Sequence, residues 1–491
     1  MAAQEISSVT EQLSSAVVKK RSIRGVFIYF FKTLLLMGTA IVAQGILGAR
    51  LTKEDYGIYG IVVTISGLFT IISDVGLAAS LIQKKEAPTT QELQTVFTIQ
   101  QILAWIVFAG VVGTSVMMHR YGRMTIEGVY LASAFGLNFP LVSLKTISSI
   151  LLERELAFHR LAIPSIIESV VFSIITVVLA IRGFGVMSYT YAVLCKAIVG
   201  VVITIGMKRW EFGLAFSKKS FLTLMHVGGK FQLNDMLAKA KDDVFYLTLA
   251  FFIPAGEFGY ITWAKQWSRL PYTLTVDNIG ALTFPAFSRL QHDPALLRRA
   301  IEKTVFFATL VSFPLLMGLS VMAWPLTIVI PGYAQWQPAL WTLALFACSL
   351  AFATFSTPLV NTLSATGKIS SVLRLMLFWT AAQWVLVPIL FPLFGFQAVA
   401  MIAVILGCTS LAVVHLVSRH IKFSFFDNIW RQTVASGIMG VVLWYFWPLW
   451  SQSVALFCVG VVAGGLIYMV VMSMLGFTKL LHEISGLLRK V

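Results

Sequence analysis

The residues of this chain able to do chemistry are ionisable side chains set inside long apolar runs. The densest set lies in HVGGKFQLNDMLAKAKDDVFYLTLAFF, residues 226–252, where Asp235, Lys239, Asp242 and Asp243 fall at i, i+4, i+7 and i+8. That spacing puts all four on one helical stripe. Lys265 and Arg269 form an i, i+4 pair in the next apolar run, which also carries Asp277, while Lys32 and Asp74 stand in the first two. An ionised group in the centre of a lipid-facing helix costs about 2.5–3.5 kcal/mol, so each of these residues marks a cavity or a partner. Lys265 and Arg269 can face one anion, and the planar guanidinium fork can hold two of its oxygens at once. The carboxylates are suited to an ion-pair ladder or to a small cation. Elsewhere only Lys145, Glu168 and Lys196 stand out deep within an apolar run.

Each set also has a packing explanation. Asp235, Lys239 and Asp243 form an internal ladder as readily as a site, Asp74 is placed to cap a helix end, and Lys32 has the reach to snorkel to the surface. Glu168 and Lys196, in adjacent runs, read as a structural pair. The thirteen Trp fit interfacial belts, apart from Trp263 and Trp267, which flank Lys265 and form a candidate sugar-stacking platform. Gly460 and Gly464 have the small-xxx-small spacing of a helix contact. Signatures of bond-making enzymes are missing. Thr366-Gly367-Lys368 continues into Ile369 and lacks the leading glycine of a phosphate-binding loop, so ATP is not expected as the direct energy source. The seven histidines show no zinc spacing. Cys195, Cys348, Cys408 and Cys458 all lie in apolar runs and read as buried hydrophobes, with no disulfide framework and no metal ligation. No cofactor is expected.

The elements that must position these residues are membrane helices. Of 491 residues, 58% are hydrophobic and 12% charged, with mean hydropathy +0.85. Soluble domains carry about 25% charged residues. Apolar runs of about 20 residues or more cross the hydrocarbon layer, and there only a helix satisfies its own backbone. Fourteen runs are expected: 25–49, 56–83, 94–118, 126–151, 157–181, 184–207, 228–252, 258–284, 304–330, 337–365, 370–392, 394–418, 429–449 and 453–476. The fold class is all-α and polytopic. Residues 1–24 end in Lys19, Lys20, Arg21 and Arg24, and the run that follows is too long for a cleavable signal. Lys and Arg between the runs divide 24 against 5 between the two sides, which places both termini in the cytoplasm. Much of the +16 formal charge is this topology signal, leaving little for a nucleic-acid partner. The long link 208–227, KRWEFGLAFSKKSFLTLMHV, mixes aromatic and basic residues as a membrane-surface segment does.

The chain also resembles itself. Asp55-Tyr56-Gly57 after the first run aligns with Glu257-Phe258-Gly259 after the seventh. Asp74-Val75-Gly76 is echoed by Asp277-Asn278-Ile279-Gly280, and Thr95-Val96-Phe97 by Thr304-Val305-Phe306. Three echoes in order indicate a six-helix duplication. Repeats separated by an even number of spans keep the same orientation, and carriers of this construction hold substrate between their halves.

LGARLTKEDYGIYGIVVTISGLFTIISDVGLAASLIQKKE (47–86) resembles the N-terminal signature of the Wzx-type polysaccharide flippases, a branch of the multidrug/oligosaccharidyl-lipid/polysaccharide exporter superfamily. KAKDDVFYLTLAFFIPAGEFGYITWAKQWSRLPYTLT (239–275), FPAFSRLQ (284–291) and PLVNTLSATGK (358–368) are similar to later stretches of that family. The chain departs from the pattern at Lys241 and Phe252. The resemblance implies two six-helix lobes, 25–207 and 228–418, in a V around a cavity lined by helices one, two, seven and eight. Two further helices (419–476) and a cytoplasmic tail (477–491) follow. It also implies the substrate: an oligosaccharide repeat on undecaprenyl diphosphate, carried across the inner membrane by alternating access. Lys32, Lys265 and Arg269 would hold the pyrophosphate, with Trp267 against sugar. Asp74, Asp235, Lys239, Asp242, Asp243 and Asp277 would serve coupling to H⁺ or Na⁺ and gating. A polysaccharide polymerase and chain-length machinery are the implied protein partners. The rivals are a cation-coupled drug or metabolite antiporter of the same superfamily, a membrane polymerase or ligase of the same pathway, and a structural membrane protein. An antiporter should place anionic and aromatic groups in its cavity, a ligase needs a long outer loop, and a scaffold has no use for intramembrane charge.

Overall fold

A computed structural model describes residues 35–73, 77–84, 86–222 and 243–476, with residues 33 and 225. Among them there is no strand, and the chain divides into two compact units, Met1–Gly259 and Tyr260–Val491. Nine helices among the described residues are long and apolar enough to cross a membrane; they occupy the expected spans three to six, nine to twelve and fourteen. Helix also lies in each of the other five expected runs.

In the first unit, α1 (Leu35–Arg50) and α2 (Lys53–Ser73) are followed by the short α3 (Leu77–Gln83). Then come α4 (Thr90–Arg120), α5 (Ile126–Arg154), α6 (Phe158–Ile181), α7 (Met187–Met207) and α8 (Asp243–Phe252). Helices α4, α5, α6 and α7 pack as neighbours, with α2 against α4 and α5. The start of α4 is fixed by a capping box: the Thr89 hydroxyl accepts from Glu92 N–H at 3.3 Å, and the Glu92 carboxylate accepts from Thr89 N–H at 3.0 Å. Glu92 also takes the Lys84 ammonium at 2.8 Å. At the same end, Arg154 donates to the carbonyls of Lys84 and Glu86, each at 2.8 Å, beyond the last turn of α3. Some of the basic residues that read as a topology signal therefore also satisfy carbonyls that a helix end leaves open.

The link after α7 runs extended along the first turns of α4. Ala215 N–H donates to the Thr98 hydroxyl at 3.2 Å, Ser217 N–H to that of Thr95 at 3.2 Å, and Lys208 pairs with Glu155 at 2.6 Å. This extended course turns Phe212, Leu214 and Phe216 outward at alternate positions. Residues 218–222 are helical.

Helix α9 (Ala255–Tyr272) begins in the first unit and continues into the second. Its start meets the start of α2 at the two repeat motifs. A Cβ on Gly57 would lie 1.7 Å from the Ala255 carbonyl oxygen, and one on Gly259 would lie 1.8 Å from the Lys53 carbonyl oxygen. Each glycine thus covers the carbonyl four residues before the other. The contact is reciprocal, as two copies of one motif facing each other must make it.

In the second unit a five-residue π-helical turn (Thr273–Asp277) leads into α10 (Asn278–Leu290) and α11 (Pro294–Val329). A 3₁₀ turn (Tyr333–Ala339), α12 (Leu340–Ala365), α13 (Ile369–Phe394) and α14 (Gln397–Thr409) follow, and α15 (Leu411–Ser418), α16 (Phe425–Tyr445), α17 (Trp447–Trp450) and α18 (Val454–Met474) complete it. Asp293 caps α11 with Pro294 in the first turn, where proline costs no hydrogen bond. Phe287, Ile301, Leu359 and Val413 centre one core, while Met322, Met439, Leu443 and Tyr468 centre another. Gly460 sits against Trp450 and Met322, and Gly464 against Leu443, so both serve helix contacts.

The glycine contact carries a stability prediction. Gly57→Ala or Gly259→Ala should lower unfolding free energy by about 1–3 kcal/mol, because backbone rather than a flexible side chain must give way. Gly465→Ala, with no atom within 4 Å of its Cβ position, should leave the melting temperature in detergent unchanged or higher. Equal melting of all three variants overturns the packing role.

Candidate functional site

Helix α9 carries the cationic pair that the sequence singles out. Its first full turns are fixed by Trp263, fully buried and stacked on Trp336 of the 3₁₀ turn with centroids 5.0 Å apart and planes 4° from parallel. Burial makes Trp263 a core anchor and removes it from the candidate sugar platform. Trp267, half-buried one turn on, has an indole N–H that is buried without a hydrogen-bond partner among the described residues. Lys265 is half-buried, whereas Arg269 is 61% exposed at its side chain.

Beyond Arg269 the helix changes pitch. Pro271 removes one backbone donor, and Thr273–Asp277 form the π turn. In a regular helix a residue at i+8 lies about 80° around from residue i. One extra residue in a π turn makes i+8 behave as i+7, about 20° away, which swings Asp277 onto the face of Arg269. The guanidinium Nη2 and the Asp277 carboxylate stand 3.6 Å apart, close enough to attract and too far for a hydrogen bond. Arg269 therefore keeps its fork open to a ligand. The distorted segment is held from outside: Tyr272 hydroxyl bonds Thr357 of α12 at 2.9 Å, and Thr275 bonds Ser312 of α11 at 2.5 Å. Asn278 donates to the carbonyls of Thr273 and Leu274, both at 3.1 Å. The π turn is not legible in side-chain spacing, although Pro271 marks where regularity ends.

Of the other expected site residues, Lys32, Asp74, Asp235, Lys239 and Asp242 lie outside the described residues. Asp243, on α8, rests its carboxylate over α2: a Cβ on Gly67 would meet both oxygens at 3.2 Å. The expected pairing of Glu168 with Lys196 is replaced. Glu168 of α6 hydrogen-bonds Lys145 of α5, and the Lys196 ammonium lies over the Phe172 ring, 5.0 Å from its centroid. Spacing placed Lys196 beside Glu168 because their helices follow one another, but α5 also packs on α7 and supplies the nearer cation.

A polysaccharide biosynthesis protein family matches residues 46–340, more than half of the chain and inclusive of both repeat motifs and α9. The chain belongs to this polysaccharide biosynthesis protein family. It is 23% identical over 350 residues to the succinoglycan biosynthesis transport protein ExoT of Rhizobium meliloti (strain 1021), covering 70% of this chain and 68% of that one. It is 24% identical over 311 residues to the lipopolysaccharide biosynthesis protein WzxC of Escherichia coli (strain K12), 62% of each chain. Teichuronic acid biosynthesis protein TuaB of Bacillus subtilis (strain 168) is 22% identical over 291 residues and matched over 59% of its length. The fold is shared with the lipid II flippase MurJ in an inward closed conformation, with TM-score 0.71, 14% identity, and 94% of this chain and 100% of that one covered. An inward-facing multidrug resistance transporter of the MATE family of the MOP superfamily gives TM-score 0.60 at 16% identity over 81% and 94% of the two chains. The chain thus joins this polysaccharide biosynthesis family to the fold of these two transporters.

The two tryptophans should separate in a mutational test. Trp263→Ala should cost about 3–5 kcal/mol of stability, the range for emptying a fully buried aromatic site. Trp267→Ala should melt near wild type, and thermal unfolding of the purified variants decides between them.

Proposed function

We propose that this protein flips undecaprenyl-diphosphate-linked oligosaccharide repeat units from the cytoplasmic to the periplasmic leaflet of a bacterial inner membrane, for surface or exopolysaccharide synthesis. The observation that carries this reading is the cationic pair Lys265 and Arg269 on α9, with the Arg269 fork open beside Asp277. A pyrophosphate cannot enter a low-dielectric layer without partners, and charge-assisted hydrogen bonds from an arginine fork match its oxygens. The relatives named for succinoglycan, lipopolysaccharide and teichuronic acid synthesis support the same substrate class. A drug antiporter of the same fold has no use for paired cations at its ligand.

In the cycle we infer, the pyrophosphate displaces Asp277 from Arg269. Asp277 is then free to bind H⁺ or Na⁺, which compensates the charge lost from the ion pair. Trp267 offers the exposed part of its ring to the first sugar. Lys32 adds a second point charge, while Asp74, Asp235, Lys239, Asp242 and Asp243 bias the inward-open and outward-open states. Both termini lie in the cytoplasm, and export feeds a polysaccharide polymerase and its chain-length machinery.

Lys32→Ala, Lys265→Ala and Arg269→Ala should each reduce surface polysaccharide in a strain lacking its own flippase, at normal protein level, with lipid-linked repeats accumulating inside. Arg269→Lys should rescue only in part, since it keeps the charge and loses the fork. Normal export by all of these variants removes the cationic mechanism. If the acids couple transport to a cation, Asp242→Asn and Asp243→Asn should insert normally and lose gradient dependence. Unchanged dependence in the singles and the double excludes them, and loss of protein from the membrane assigns them to packing.

A further inference from the structure

A second charged cluster lies wholly inside the first unit. It joins Lys145 of α5, Glu168 of α6 and Lys196 of α7. These residues stand 9, 10 and 11 positions from the Arg154, Phe158 and Met207 helix ends, which lie at one side of the bundle. At 1.5 Å per residue that is about 14, 15 and 16 Å deep, near the middle of a hydrocarbon layer about 30 Å thick.

The cluster has one carboxylate and two amines. Glu168 is taken by Lys145, with which it forms a hydrogen-bonded ion pair, so that pair is neutral in sum. Lys196 is within electrostatic reach of both partners but makes no salt bridge among the described residues. Its ammonium has the Phe172 face, a contact that contributes about 0.5–2 kcal/mol. That is less than the cost of about 2.5–3.5 kcal/mol for an ammonium at mid-membrane depth. Packed against α7 are α5 and α6, whose charged groups at this level are Lys145 and Glu168. From α2, Tyr59 stacks on Tyr189 at 4.1 Å, two turns away along α7. The cluster is also built to fit. Gly200 lies one turn beyond Lys196, and a Cβ there would come 2.0 Å from the Glu168 carboxylate oxygen. Glu168 thus packs directly on the α7 backbone one turn from Lys196, which fixes the carboxylate of the pair.

We propose that Lys196 is a proton-exchange site of the transport cycle, with Lys145–Glu168 the fixed pair against which it works. Loss of a proton from the Lys196 ammonium to water leaves a neutral amine and a cluster with no net charge. Regaining one restores the cation. This rests on the flippase reading above and names a coupling group for it that is separate from the acids of the seventh span.

The test compares locked states in the full-length protein. Lys196→Arg keeps the charge permanently, Lys196→Met removes it permanently, and Lys145→Arg preserves the pair with Glu168. Surface polysaccharide is measured in the flippase-deficient strain with and without an ionophore that collapses the proton gradient, alongside protein level and melting temperature. Wild type and Lys145→Arg should export in a gradient-dependent way. Both Lys196 variants should fall at least about tenfold, roughly 1.4 kcal/mol in activation free energy, and their residual export should ignore the ionophore. Normal, gradient-sensitive export by Lys196→Arg overturns the proposal in favour of a permanent cation or anion site. The same result in Lys196→Met assigns the residue to packing. A direct readout does not depend on export: in protein labelled with ¹³C at lysine Cε, the signal missing from Lys196→Arg should switch between ammonium and amine positions across the neutral range. A signal fixed at either position overturns the proposal. If wild type exports nothing while that signal switches, the flippase reading fails and the proton site stands.

Discussion

The cost of an unpaired charge in hydrocarbon is the constraint on which the rest of this structure depends. It decides where charged residues sit and what surrounds them. At the helix ends the cost is small, and there Lys84, Glu92, Arg154, Lys208 and Glu155 form a network that closes helix termini. Within the spans the cost is large, and each described charge has a specific arrangement. Lys145 and Glu168 neutralise each other; Asp243 lies over a glycine of α2; Arg269 has Asp277 swung toward it by a change of helical pitch. The differences between these arrangements carry the functional argument. A pair locked by a hydrogen bond resists exchange, while a pair at 3.6 Å with both members more than 40% exposed is poised for it.

A second constraint acts on backbone alone. The starts of α2 and α9 approach so closely that Gly57 and Gly259 leave no room for a Cβ, each against a carbonyl of the other. This contact joins the two motifs that the internal repeat identifies, Asp55-Tyr56-Gly57 and Glu257-Phe258-Gly259. Duplication explains its reciprocity, since each copy presents the same donor-free surface and the same carbonyl. Thr52 and Asp55 brace the first copy: Asp55 N–H donates to the Thr52 hydroxyl at 3.2 Å, and Thr52 N–H to the Asp55 carboxylate at 3.0 Å. In the second copy Pro254 stands just before the helix and fixes its entry instead. The same helix start is therefore reached by two different local devices.

Apolar run length located the helices, because backbone satisfaction in lipid allows nothing else. The paired spacing of Lys265 and Arg269 located the candidate site for the same reason that a cation in a span is rare. What the sequence did not reveal depends on interactions without a period. The π turn that brings Asp277 to Arg269 shifts register by one residue, and i, i+4 counting cannot register such a shift. The partner of Glu168 depended on which ammonium reaches it: Lys145 of α5 does, although α6 packs more closely on α7, the next span in order. Trp263 and Trp267 look equivalent on paper, yet Trp263 is the one stacked on an indole 73 residues onward, at Trp336. The linker at 208–217 has the composition of a membrane-surface segment, which leaves its backbone open, and its bonds to Thr95 and Thr98 hold it extended.

These pieces together suggest why the chain keeps its two intramembrane cationic clusters chemically distinct. A group that must release a bulky anion needs an open fork and a competing carboxylate, since the carboxylate recovers the cation when the anion leaves. Arg269 and Asp277 have that form, and an arginine cannot solve the problem by losing its proton. A group that must exchange a proton needs the opposite: a side chain able to become neutral, a confined space, and a neighbouring pair that stays fixed. Lys196 beside Lys145–Glu168 has that form, and Gly200 preserves it by leaving space for the carboxylate. Under the proposed cycle, arginine at the first position and lysine at the second follow from what each charge would do between states.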